Sequence, residues 1–553
     1  MSGQLTFGTS PMAPFRFVLL FCWLPNAFVV ALQAQVVLES TPLPIVLIDT
    51  KGAPIPKEGK MAAAMKIIDR GQGQLNRPND PPNGYNGPIG IELRGSSSLD
   101  LSDKKPYAIE TRDAQGEDLA VPLLGMPKES DWVFMAPFAD KTMVRDPLAF
   151  ELARRIMPWA PRTRFVELML NGDYQGVYIV AERIKRDKNR VDIAKLAPED
   201  ETGDALTGGY IFKLDKTNGT NTDGWTSQFQ FFGNNGRPYY QYHYPKPGDM
   251  TLVQKIYLQN WVARFEDALH NIYFADSLLG YPQYIDVASF IDFSIVNELG
   301  KNVDGYKLST YLHKDRDSED PRLHAGPVWD FNLAFSNADY CSAAPYQGWN
   351  FRMATDCSVF AFWWPKLWED RAYRRQFRDR WLSLRAGIFS DDQLRRMVDS
   401  LVLEVKPAQA RNFQRWNILQ RYIWPNAFCC GSYEQHVQYL REWLIARAHW
   451  MDQAMPEFYA GTYKYHQYFK TKVSPNPSRD QLTFTYYAPF GKLVTFRIFD
   501  MAGRYLHTLN DSPEFSDAPR DKPWTHDLSP GVYFYEVWFG AEKESTGQFI
   551  VTP

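Results

Sequence analysis

A chain of 553 residues is long enough for roughly two to four domains at about 150 residues each. Its 44% hydrophobic and 23% charged residues exclude a wholly disordered chain, and a net charge of −3 lacks the basic excess of a nucleic-acid binder. Five cysteines are too few for a disulfide scaffold, while 15% aromatic residues suit large buried surfaces and ring-lined binding walls.

In chain order, the first 34 residues carry a single charge, Arg16. An apolar run from Phe17 to Leu32 follows, broken by Pro25 and Asn26, and small residues Ala31 and Ala34 precede Gln35. This is the pattern of a secretory signal peptide over 1–34. The run is too short and interrupted for a membrane span of about 20 residues, and no later segment reads as one. Export leaves Cys341, Cys357, Cys429 and Cys430 in an oxidising compartment. Cys341 and Cys357 are expected to pair, closing a loop of about 15 residues for roughly 3 kcal/mol. The partner of the adjacent Cys429 and Cys430 cannot be read from the sequence, and zinc is disfavoured because no spaced Cys pair or His cluster accompanies them.

Residues 35–456 form the expected body. Strands are predicted at Ile89–Leu93, Tyr107–Glu110, Phe165–Leu170, Val177–Val180 and Gly209–Leu214, with a hairpin turn at Asn171-Gly172-Asp173. Asp146, followed by Pro147, reads as the N-cap of a helix carrying Leu148, Leu152 and Ile156. Further helices are expected after Asp249, after Asp286, over 366–404 and over 433–454. Strands followed by helices make an α+β pattern, with a cleft expected between the two lobes. A polar, Tyr-rich linker at 457–470 precedes a tail, 471–553, whose short strands and turns read as a small β-sandwich.

The sharpest chemical signal is PVWDFNLAF at 327–335, where Asp330 sits in an apolar, strand-like segment. A buried carboxylate is costly unless it is paired or holds a metal. Upstream, Asp304 follows a predicted helix in NELGKNVDGYKLS. Two carboxylates on separate loops suit two tasks, Asp304 orienting or deprotonating a hydroxyl and Asp330 holding Mg²⁺ against phosphates. The plainer alternative has Asp304 capping a turn before Gly305 and Asp330 paired with an Arg. Arg94, Lys104 and Lys105 could meet phosphates or be solvated surface cations. Glu182 and Glu151 read either as partners of a phosphate-binding Lys or as surface ion pairs, and Trp329 as an adenine wall or a core ring. No Walker motif and no kinase-type glycine-rich loop is present, so any nucleotide site is atypical.

The ordered motifs RGSSS (94–98), KKPYAIE (104–110), GMPKESDWVFMAPFADKTMVRDPLAFELARR (125–155), APRTRFVELMLNGDYQGVYIVAERIKRDKNRVDI (160–193), GGYIFKLDK (208–216), NVDGYKLSTYLHKD (302–315) and PVWDFNLAF resemble the CotH kinase family of atypical secreted kinases. The resemblance implies a two-lobed protein-kinase-like fold that binds ATP with Mg²⁺ or Mn²⁺ and phosphorylates Ser or Thr of secreted or surface proteins. It places Asp304 as the catalytic acid, Asp330 as metal ligand and Trp329 beside the adenine. Arg94 and Lys105 would meet phosphates, with Tyr178 and Glu182 near the nucleotide. Asn332 stands where many members carry a second metal-binding acid, and Ser309 where a kinase loop often has Asn. Neutral oxygens bind Mg²⁺ more weakly than carboxylates, so weak catalysis, a kinase-like binding or adhesion protein, and nucleotidyl transfer on the same fold all stay open. The tail motifs SPNPSRDQLTF, FRIFDMAGRYL and DLSPGVYFYEVWFG resemble the C-terminal sorting domain of type IX secretion substrates. That implies a Bacteroidota-type envelope, passage across the outer membrane by that machinery, and release or surface attachment.

Overall fold

The computed structural model describes residues 36–455 and 471–553, apart from 96, 218–222, 233–234, 353–359, 487–492, 512–519 and 541. The expected signal peptide and linker lie outside the described residues.

The first strands close into a barrel: Ile45–Asp49, Met61–Ile68, Asn86–Leu93, Tyr107–Thr111, Asp131–Met135, Asp173–Glu182 and Thr163–Leu170, in that spatial order. Parallel pairing of Ile45–Asp49 with Thr163–Leu170 shuts the seam. Asn171 and Gly172 both take positive φ, 51° and 81°, between paired Leu170 and Asp173. That is the two-residue turn whose twist matches its strands, as the Asn-Gly pair predicts. Alternation along the strands sends Ile67, Ile91, Ile109, Trp132, Phe134, Val166, Tyr178 and Val180 inside, where they form one buried cluster. Each large apolar side chain buried there contributes roughly 1.5–3 kcal/mol.

The rest of the body is not simply helical. Strands Gly224–Thr226, Tyr239–Tyr244, Tyr210–Leu214, Thr310–Lys314 and Leu323–Ala325 make a second sheet. Long-range pairing of Tyr210–Leu214 with Thr310–Lys314 recruits the last two from a region read as helical. Helices Leu252–His270, Val287–Gly300, Arg371–Arg385, Asp391–Arg415 and Tyr433–Ala454 supply the remainder. Asp286 caps Val287–Gly300 by accepting from the Ser289 N–H at 2.7 Å. The helix expected after Asp249 is instead capped by Thr251, in a reciprocal box with Gln254.

Helix Asp391–Arg415 docks on the barrel. Asn412 Oδ1 accepts from Lys104 Nζ at 2.9 Å and from the Val177 N–H at 3.1 Å. Arg411 grips buried Glu167 with bonds of 3.0 and 2.6 Å. A Cβ on Gly176, at φ +92°, would lie 2.5 Å from Asn412 Oδ1, so this close approach needs glycine.

Cys429 and Cys430 are bonded to each other. Cys341 is disulfide-bonded, and its expected partner Cys357 lies outside the described residues. In the tail, a three-stranded and a four-stranded sheet share a buried cluster that includes Leu482, Phe484, Phe496, Ile498, Val537 and Phe549. No helix among the described residues is long and apolar enough to cross a membrane.

Candidate active site: carboxylates and cations around one cavity

A cavity of about 500 Å³ is lined by Arg94, Asp146, Lys213, Asp215, Lys216, Asp304, Ser309, Trp329, Asp330 and Asn332, among others. Three connections build it. Arg94 follows barrel strand Asn86–Leu93, its N–H donating to the Pro106 carbonyl at 3.0 Å. Asp304 lies in the loop after helix Val287–Gly300, which ends on Lys301 at φ 44°. Asp330 follows Leu323–Ala325, in irregular backbone rather than the strand-like segment expected, at φ 64°.

Asn302 ties the two aspartate loops together. Its Oδ1 accepts from the Asp304 N–H at 3.3 Å and its Nδ2 donates to the Asp330 carbonyl at 3.5 Å. Asn350 in turn donates to the Asn302 carbonyl at 2.7 Å. Gly305 is required because a Cβ there would lie 2.5 Å from Asn297 Oδ1. Tyr306, Ser309 and Asp330 all hold positive φ, a concentration of costly backbone typical of sites where geometry serves function.

Asp330 and Asp304 have no hydrogen-bonding or ion-pair partner for their carboxylates among the described residues, and Asp146 has one contact, accepting from the Phe331 N–H at 2.6 Å. Burial raises Asp330 to about 6, helped by Asp304 and Asp215 and opposed by Arg94. Burial raises Asp146 to about 8, with Asp330 the next cause. Asp304 is also raised, chiefly by burial. Arg94 is lowered by burial, and its guanidinium lies 5.1 Å from the Trp329 ring with no acceptor among the described residues. Lys213 is paired to Asp215 at 2.7 Å. Carboxylates and a guanidinium lining one cavity suit a hard divalent cation and an anion together.

Of the residues singled out in the sequence, Asp304, Asp330, Arg94, Trp329 and Asn332 come together on this cavity. Ser309 and Asp146 line it too, whereas Lys104, Lys105, Tyr178, Glu182 and Glu151 do not. Strand alternation turns Tyr178 into the barrel core, where it stacks on Tyr107 at 5.9 Å and donates to the Lys105 carbonyl at 2.9 Å. Lys105 Nζ donates to the Leu99 and Ser102 carbonyls, at 2.6 and 2.5 Å, and closes its own loop. Buried Glu182 is held by Arg162 at 2.7 Å and Arg190 at 3.7 Å, and Glu151 pairs with Arg154 and Arg155 on its helix. Trp329 is 7% exposed, stacked on Phe150 at 5.6 Å, so the ring backs Arg94 rather than offering an open face.

The sequence suggests only an N-cap role for Asp146. The helix starts at Arg145, with Val144 before it, which places Asp146 in the first turn facing the cavity. Lys213 and Asp215 were also missed as site residues, since only long-range sheet pairing brings them here. A carboxylate in the apolar stretch VRDPLAF was the available signal for Asp146.

His243 is half-buried, its Nε2 2.9 Å from the Ile184 carbonyl and its ring edge-on to Tyr311. Burial lowers it to about 3, Arg183 and Lys213 acting in the same direction and Asp215 against. The unfolded chain takes up this proton near pH 6.5 and the folded chain does not, so acidification from pH 6.5 towards 3 favours unfolding. The slope is up to about 1.4 kcal/mol per pH unit. His243→Gln is expected to flatten this dependence between pH 7 and 5 in urea denaturation; an unchanged slope contradicts the assignment.

The cavity thus gathers acids and cations in one space. The CotH kinase protein family model matches residues 91–451, and the chain belongs to that family. The Secretion system C-terminal sorting domain model matches residues 472–552. Among curated proteins, none matches the chain.

Proposed function

We propose that the chain is an exported, kinase-like enzyme that transfers the γ-phosphate of ATP to Ser or Thr hydroxyls of secreted or surface proteins, addressed for type IX secretion by its tail. The observation that carries this reading is the convergence on a single cavity of Asp146, Asp304 and Asp330, whose carboxylates make no ion pair among the described residues, and of the Arg94 guanidinium. Family membership supports it.

Asp330, with Asn332 and Asp146, would hold Mg²⁺ or Mn²⁺, an all-oxygen set suited to a hard cation. Bound there, the ion neutralises phosphate charge. Arg94 offers paired N–H donors to phosphate oxygens, and Lys213 adds a second cation. Asp304 accepts the acceptor's hydroxyl proton as that oxygen bonds to the γ-phosphorus and the bond to the β–γ bridging oxygen breaks, releasing ADP. Burial raises its proton affinity, against Lys307 and Lys216, which favours proton acceptance.

Asn332 and Ser309 favour a second reading, nucleotide binding without transfer. Incubation with γ- or α-labelled ATP, Mn²⁺ and a generic acceptor protein separates the readings. Label from the γ position alone supports the kinase, label from the α position supports nucleotidyl transfer, and neither with binding retained supports the binding protein. Asp304→Asn is expected to lower γ-transfer by about 10²–10⁴-fold while leaving nucleotide affinity within a few-fold; full activity in that variant would overturn the role of Asp304.

A further inference from the structure

Among the oxygens assigned above to the metal, that of Asn332 is neutral, and a weak ligand gains most from being held in place beforehand. Asn332 lines the cavity, and its side chain makes no hydrogen bond among the described residues. Its backbone is fixed on both sides. The Phe331 carbonyl accepts from the Ala334 N–H at 3.0 Å, within a local turn. The Asn332 carbonyl accepts from Asn337 Nδ2 at 2.8 Å. Peptide units are planar, so holding the units before and after Asn332 sets the direction of its Cα–Cβ bond. The first hold is backbone and survives any change of side chain. The second depends on one amide.

That amide is itself braced. Asn337 and Asn426 are both buried, and Asn426 Nδ2 donates to Asn337 Oδ1 at 3.0 Å. With Oδ1 turned to this donor, Nδ2 is the end left to meet the Asn332 carbonyl. The same Asn426 nitrogen donates to the Ala139 carbonyl at 2.8 Å. Ala139 precedes Asp140, whose carboxylate accepts from the Arg145 N–H at 2.9 Å where the helix carrying Asp146 begins. A backbone bond from the Asp339 N–H to the Pro425 carbonyl, 2.8 Å, fastens the two segments a second time. Between Asn332 and Asn337, Phe335 and Ser336 hold positive φ of 50° and 59°. Such backbone is costly for residues other than glycine and persists only where surrounding bonds over-determine it.

We propose that Asn337, braced by Asn426, is the positioning residue of the metal site: it holds Asn332 so that a neutral side-chain oxygen serves as a fixed ligand, and Asn426 ties that ligand to the loop leading into Asp146. The inference rests on the reading of Asn332 as a ligand for Mg²⁺ or Mn²⁺. Groups that orient a metal ligand typically cost 10–100-fold in metal affinity when removed, roughly the size of effect sought here.

The test is a double-mutant cycle on the full chain with Asn332→Ala, Asn337→Ala and the two combined. Fluorescence anisotropy of a labelled non-hydrolysable ATP analogue, followed across Mn²⁺ concentrations, gives the Mn²⁺ concentration for half-maximal binding. Each single variant is expected to raise that concentration roughly tenfold or more. The double variant is expected to match Asn332→Ala within about twofold, because Asn337 then has no ligand left to position. A native Mn²⁺ requirement in Asn337→Ala, or an effect that multiplies onto that of Asn332→Ala, overturns the proposal, since a support of the fold alone would act whether or not the Asn332 oxygen is present. A native requirement in Asn332→Ala overturns it differently, by removing Asn332 from the ligand set, and leaves the role of Asp330 to its own test. Asn426→Ala withdraws the brace without touching the loop. It is expected to raise the requirement in the native chain and not in Asn332→Ala, and it decides the matter if Asn337→Ala does not fold.

Discussion

Asp330→Ala is expected to abolish metal-dependent nucleotide binding. Among the described residues no cation is bonded to the carboxylate, and Asp330 is held at φ 64° with its carbonyl accepting from Asn302. Burial and the fields of Asp304 and Asp215 oppose its ionisation, and Arg94 offsets them only in part. A divalent ion removes that conflict and adds charge where triphosphate oxygens gather, so ion and nucleotide bind as one unit. Without Asp330 the proposed ligand set keeps only the neutral Asn332 and Asp146, whose carboxylate already accepts from the Phe331 N–H. Isothermal titration with Mn²⁺ and a non-hydrolysable ATP analogue checks this; affinity unchanged from the native chain would move the metal site elsewhere. Because the mutation also relieves carboxylate repulsion, the apo variant is expected to be no less stable than the native chain.

Arg447→Met is expected to destabilise the body by about 3–5 kcal/mol, the cost of leaving a buried charge without its partner. Glu298 and Arg447 are both wholly buried and pair at 3.2 Å. Glu298 also accepts from Tyr306 Oη at 2.9 Å, the Asn350 N–H at 2.6 Å and the Phe351 N–H at 3.1 Å. Arg447 donates to the carbonyls of Glu298, Tyr346 and Gly348 at 2.8, 2.7 and 2.6 Å. The pair therefore fixes the loop that carries Asp304 to helix Tyr433–Ala454. Methionine fills the space but strands the Glu298 charge. Urea unfolding followed by tryptophan fluorescence reads the loss, and a change below about 1 kcal/mol would mean that the backbone bonds alone hold this junction. Nucleotide affinity should fall with it, since Asn350 also supports Asn302 between the two aspartates.

How far the sequence reveals this molecule depends on the range of the interactions concerned. Local chemistry is readable: Asn171-Gly172 makes its turn and Asp286 caps its helix through bonds a few residues away. Asp304 and Asp330 are readable as acids where burial is costly, and they do share a cavity. Chain order hides what distant pairing decides. Lys213 and Asp215 reach the cavity on a sheet joined by pairing about a hundred residues apart. Tyr178, in a run of apolar neighbours, gave no sign of which barrel face it would take, and alternation turns it inward. Asp146 has a cap's composition, yet the helix begins two residues earlier than that cap implies, at Arg145, and the Asp146 carboxylate accepts from the Phe331 N–H. The adjacent cysteines find each other, an outcome that distance-based pairing rules overlook.

The most direct measurement is an anomalous difference map from crystals of the full chain grown with Mn²⁺ and a non-hydrolysable ATP analogue. A manganese peak in the cavity touching Asp330, with the phosphates between it and Arg94, is the result predicted. A peak elsewhere, or nucleotide bound outside the space shared by Arg94, Asp304 and Asp330, would contradict it.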